Sequence, residues 1–71
     1  NEIVIGSNAI GKGSNTAVIG NENLTALYVS GQVIPATLSS EPTGIEGGIY
    51  YNTNDKHFYG YNGTDWKQLD N

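Results

Sequence analysis

A short internal repeat constrains this chain more than anything else in it. Shifting the sequence by fourteen residues lays Asn1-Glu-Ile-Val-Ile-Gly6 over Asn15-Thr-Ala-Val-Ile-Gly20, so that Asn, Val, Ile and Gly coincide and Ile10 falls on Leu24. The period is too short for a two-helix unit, whose repeats run to about 34 residues. It suits one turn of a β-solenoid, with two short strands and two tight turns. Ile3-Val4-Ile5 and Ala17-Val18-Ile19 are apolar runs that end at Gly6 and Gly20, as strands do.

Successive strand residues point to opposite faces. Val4 and Val18 therefore face one way, and Ile3, Ile5, Ala17 and Ile19 the other. Both faces are apolar, yet a two-turn solenoid has only one interior. A chain of 71 residues buries only about 60% of its unfolded surface when it folds alone, so the second face calls for cover from other copies of itself. Val4, Ile5, Val18 and Ile19 are the expected core and intersubunit residues, and Gly6, Gly13 and Gly20 the expected turn residues. The chain has no cysteine and one histidine, which removes disulfides and thiolate zinc sites and leaves oligomerisation as the usual support for so small a domain.

The pattern changes after the second copy. Leu24-Thr-Ala-Leu-Tyr-Val29 reads as a last strand, closing a first segment at residues 1–30. Residues 31–46, with Pro35 and the polar run Ser39-Ser-Glu-Pro-Thr-Gly44, read as an extended linker without periodicity. Residues 47–71 read as a small antiparallel β-meander. Its expected strands are Ile49–Asn52, His57–Tyr61 and Trp66–Leu69, with Thr53–Lys56 as one turn and Asn62-Gly63 as a type I′ hairpin turn. One face of so small a sheet is expected to lack cover. Ten glycines and no methionine or arginine complete a turn-rich, helix-poor, all-β composition.

Charge excludes whole classes of partner. Three lysines stand against seven carboxylates, a formal −4, so the cations that bind nucleic acid or anionic lipid are nearly absent. No apolar run approaches the roughly 20 residues of a spanning helix. Nucleic acid and membrane insertion are not expected. With no methionine and no signal-like segment, the chain reads as a mature product or a piece cut from a larger protein.

The chemistry is equally sparse. Gly6-Ser-Asn-Ala-Ile-Gly11-Lys12-Gly13 imitates a phosphate-binding P-loop, but the hydroxyl-bearing residue due at position 13 is glycine and a strand follows where a helix is needed. His57 is the single histidine and reads as a surface or cross-strand residue. Its only nucleophile–base option is with a serine. Glu41 and Glu46 flank a polar linker, a poor place to hold two carboxylates as a glycosidase pair. No enzyme activity and no cofactor or metal is expected. Asn23-Leu-Thr25 and Asn62-Gly-Thr64 fit the glycosylation sequon, a short and common pattern that carries little weight alone. The aromatics Tyr50, Tyr51, Phe58, Tyr59, Tyr61 and Trp66 have two readings. They form the meander's core and subunit contact, the preferred one, or a sugar-stacking platform in a monomeric carbohydrate-binding module. Tyr51, Tyr59 and Trp66 are the residues to test for glycan contact.

Two resemblances add to this. Asn1-Glu-Ile-Val-Ile-Gly-Ser-Asn-Ala-Ile-Gly-Lys-Gly13 resembles the head repeat of trimeric autotransporter adhesins, with Val4, Ile5, Gly6, Ala9 and Gly13 in motif positions and Asn15, Val18, Ile19 and Gly20 repeating its first half. The second copy departs where Asn23 replaces an expected Ala and Leu27 an expected Gly, so the repeats end there. Gly48-Ile-Tyr-Tyr-Asn-Thr53 and Phe58-Tyr-Gly-Tyr-Asn-Gly-Thr-Asp-Trp66 are similar to a segment of phage tail fibres. The resemblances imply a short left-handed parallel β-roll, then a linker and meander, intertwined as a homotrimer. They imply an extracellular place, on a virion tail fibre or a bacterial surface, with a structural and attachment role that brings the segment to a host-surface glycan or protein.

Overall fold

The computed structural model describes residues 1–71 and is all-β, with six strands and no helix. The first pair, β1 (Glu2–Ile5) and β2 (Thr16–Ile19), makes a two-stranded parallel sheet. The other four, β3 (Ala36–Leu38), β4 (Ile49–Asn52), β5 (His57–Tyr61) and β6 (Trp66–Gln68), make a mixed sheet in sequential order, and neither sheet closes into a barrel. The chain divides into two units, Asn1–Ser30 and Gly31–Asn71.

In the first unit the sequence repeat is the strand register. Glu2 pairs with Thr16, Ile3 with Ala17, Val4 with Val18 and Ile5 with Ile19, so each residue lies beside its counterpart fourteen positions on. The backbone N–H of Asn15 donates to Asn1 O (2.5 Å) and that of Gly20 to Ile5 O (2.7 Å), extending the ladder at both ends. Gly6 and Gly20 sit together at the strand ends. Gly6 has φ +133°, and a Cβ built on it would lie 3.1 Å from Gly20 Cα, so both its backbone angle and its neighbour select glycine. Asn8 and Asn15 take left-handed angles of 59° and 62°, which Asn tolerates better than other side chains do.

Polar side chains close the excursion between the strands. The Glu2 carboxylate accepts the Gly13 N–H (2.7 Å), Thr16 Oγ1 donates to Gly13 O (2.7 Å), and Asn21 Nδ2 reaches back to Ser7 O (2.6 Å). The strand expected over Leu24–Val29 does not form. A strand needs a neighbouring ladder, and Leu24–Val29 pairs with none of the six strands. Its side chains stay open to solvent, Tyr28 at 94% exposure.

In the second unit both expected hairpins form, with one correction. Asn52 faces His57 across β4 and β5, and Tyr61 faces Trp66 across β5 and β6. Each loop holds four residues and opens the same way. Asn52 Oδ1 accepts the N–H groups of Asn54 (2.8 Å) and Asp55 (3.3 Å), and Asn62 Oδ1 those of Thr64 (2.9 Å) and Asp65 (2.8 Å). The Asn62-Gly63 turn is thus not type I′: only Gly63 has positive φ (98°), because the asparagine side chain ties up two loop N–H groups and stabilises a wider turn.

The span expected as an extended linker contributes a strand. β3 runs parallel to β4, with Ala36 beside Tyr50, Thr37 beside Tyr51 and Leu38 beside Asn52. The sheet is therefore mixed, where a purely antiparallel meander was expected. Pro35 precedes the strand, where a missing N–H breaks no ladder bond. Leu38 O accepts the Thr53 N–H at 2.8 Å, and Asn54 Nδ2 donates to Ser39 O at 2.6 Å. These bonds hold the extended arm onto the sheet.

Candidate functional site

Strand alternation and register sort the second unit's side chains into two faces. Tyr50, Tyr59, Tyr61 and Trp66 share one face. The Tyr50 ring stacks on Tyr59 at 5.5 Å and meets Trp66 edge-on at 4.7 Å, while Tyr61 and Trp66 lie 5.1 Å apart. The chain's own arm covers this face, since Trp66 Nε1 donates to Pro42 O (3.1 Å). Tyr50, 2% exposed, is the one buried hydrophobic residue of the chain. Around it the half-buried rings of Tyr59, Tyr61 and Trp66 pack edge-on and offset, with the indole N–H satisfied, as a small aromatic cluster.

The opposite face carries Ile49, Tyr51, Phe58 and Leu69. Tyr51 and Phe58 pack at 4.9 Å between ring centres. Ile49, Phe58 and Leu69 nevertheless remain 55%, 41% and 58% exposed. The aromatics singled out for glycan contact are therefore divided: Tyr59 and Trp66 lie on the covered face and Tyr51 on the open one. They do not converge on one platform. Trp66 is half-buried and packs against Tyr50 and Tyr61, with its indole N–H bonded to Pro42 O.

The first unit repeats the asymmetry. Val4 and Val18 sit side by side on one face. Val18 is half-buried beside Ile10 and the turn residues Asn21 and Asn23. Ile5 and Ile19 are paired on the other face, 57% and 52% exposed, next to Ile3 at 59%. The four expected contact residues are thus brought together in two pairs on opposite faces. Val33 and Ile34, in the second unit, are exposed beyond 70%.

The chemistry-bearing groups are engaged in holding the fold. The loop that imitates a P-loop has its Gly13 N–H taken by Glu2, and strand β2 follows it. His57 Nδ1 lies 2.9 Å from Asp70 Oδ1, and Asp70 also accepts the Phe58 N–H, which fastens the segment after β6 onto β5. Tyr59 donates its hydroxyl to Asp55 (2.5 Å), whose other oxygen accepts the His57 N–H. That bond, with smaller contributions from burial and the nearby negative charge, pushes the Tyr59 pKa up to about 12. Sequence reasoning missed these three partners, Pro42, Asp55 and Asp70. Asp55 stood in a recognised turn, but no local signal marks Pro42 or Asp70.

No group of three or more His, Cys, Asp or Glu side chains is arranged to hold a metal ion, and no helix is long and apolar enough to cross a membrane. What the arrangement offers chemically is apolar surface in flat sheet faces. No family model, curated protein or solved structure matches the chain.

Proposed function

We propose that this chain is a structural and attachment segment of a trimeric surface fibre, of the kind borne by phage tails or bacterial adhesins. One observation carries the reading: a single hydrophobic side chain, Tyr50, is buried, while Ile3, Ile5, Ile19, Ile49, Phe58 and Leu69 are all more than 40% exposed. A lone chain with so small a core is marginal, and a homotrimer closes the deficit with surfaces already present. The parallel pair with its fourteen-residue register suits a coil of a short left-handed β-roll extending or ending a shaft. The second unit then caps the shaft or presents its hairpin loops, Thr53–Lys56 and Asn62–Asp65, towards a host-surface glycan or protein. The role is extracellular, non-enzymatic, and free of cofactors, nucleic acid and membrane insertion.

The test is absolute molar mass by light scattering across a dilution series. A trimer that persists on dilution supports the reading. A stable, folded monomer defeats it and turns attention to the carbohydrate-binding alternative, checked by glycan binding of the wild type against Tyr51→Ala and Tyr59→Ala.

A further inference from the structure

We infer that the open face of the second unit, built by Ile49, Tyr51, Phe58 and Leu69 around Gly48 and Gly60, is the surface on which copies of this chain pack against one another. The inference rests on the trimeric reading above and deepens it by assigning the face. Gly60 lies on β5 between Ile49 of β4 and Lys67 of β6, and a Cβ placed on it would come within 3.2 Å of the Leu69 side chain. The absence of that carbon leaves an apolar groove along Gly48, Ile49, Gly60 and Leu69. Such a groove receives an apolar side chain from outside.

Three observations name the occupant as a second copy. The other face of the same sheet is covered by the chain's own arm through Trp66 and Pro42, so each copy presents one open face here. A single apolar face turned towards a common axis is one that three copies cover jointly, and closed cyclic assembly is the usual form of a homo-oligomer. The unit has one buried hydrophobic residue, and a second copy is a source of cover that is present at fixed stoichiometry wherever the chain is. Finally, the chain carries a net −4 charge, which sets copies against each other wherever carboxylates meet. The strand positions on this face carry no carboxylate. Their one charged residue is Lys67, 63% exposed and 3.8 Å from Asp65.

The 71-residue chain has no cysteine, so single cysteines introduced into it report contact cleanly. Leu69→Cys lies on the open face and Gln68→Cys, one residue away, points to the other. Under mild oxidation, Leu69→Cys is expected to give covalent dimers at least about tenfold faster than Gln68→Cys, as proximity in a bound complex dictates. Phe58→Glu is expected to raise the concentration at which the assembly dissociates by about tenfold or more, because it buries an unpaired charge. Gln68→Glu leaves that concentration unchanged. If Phe58→Glu fails to fold, the cysteine pair decides alone. A trimer in which Leu69→Cys and Gln68→Cys crosslink equally overturns the face assignment and leaves the trimer standing. A wild-type monomer overturns both.

Discussion

At the scale of single residues, the most informative groups are those whose side chain and backbone are both constrained. Gly6 combines φ +133° with a crowded Cβ position, whereas Gly13 has φ +115° and open space around it. Gly13→Ala is expected to cost only the backbone strain, about 1 kcal/mol, and Gly6→Ala more, about 2–3 kcal/mol. Denaturant midpoints of the two variants measured together check the difference. Tyr59 makes a pH prediction. An unfolded tyrosine loses its proton near pH 10, while Tyr59, bonded to Asp55, holds its proton to about 12. The folded state binds more protons in that window, so stability falls as pH rises through it and is undiminished below it. Ultraviolet titration of the tyrosinates is expected to show one late step that Tyr59→Phe removes.

Elements in this chain are short, three to five residues, and owe their persistence to what lies across them. The β4–β5–β6 sheet holds because asparagines open both hairpins and because the covered face packs Tyr50, Tyr59, Tyr61 and Trp66 together. The arm is fastened at two places, by β3 pairing with β4 and by Trp66 to Pro42. Trp66→Phe keeps most of the ring area and deletes the second fastening. The expected loss is about 1 kcal/mol, the ordinary worth of one such bond. Amide hydrogen exchange is expected to speed up over residues 39–46 and to change little in β4 and β5. Equal acceleration throughout the sheet would mean that Trp66 acts through its packing and not through Pro42.

The whole molecule is described by how little of it is interior. Apolar side chains stand exposed in both units, on Ile3, Ile5 and Ile19 in one and on Ile49, Phe58 and Leu69 in the other. If copies supply the cover, folding and association are one reaction and stability depends on concentration by mass action. The melting temperature is then expected to rise with each tenfold increase in protein concentration. A melting temperature independent of concentration, in a protein that unfolds reversibly, would assign the stability to the single chain.

Much of this was legible in the residues themselves. The all-β class followed from glycine, asparagine and β-branched runs. The pairing of β1 with β2 was written into a fourteen-residue repeat, because in parallel stacked strands the repeat length is the register. The hairpin strands from Ile49 to Gln68 were legible from aromatic runs broken by asparagine-led turns, signals that act within a few residues. Contacts between distant residues were not. Ala36–Leu38 is a strand because β4 offers it an edge, whereas Leu24–Val29, with a stronger strand composition, pairs with no strand. Whether Tyr51 would share a face with Tyr59 and Trp66 was fixed by strand alternation, but which face the arm covers was decided by Pro42 meeting Trp66 from 24 residues away. Local preference sets what a segment is able to become; the partner that folding brings beside it decides what it is.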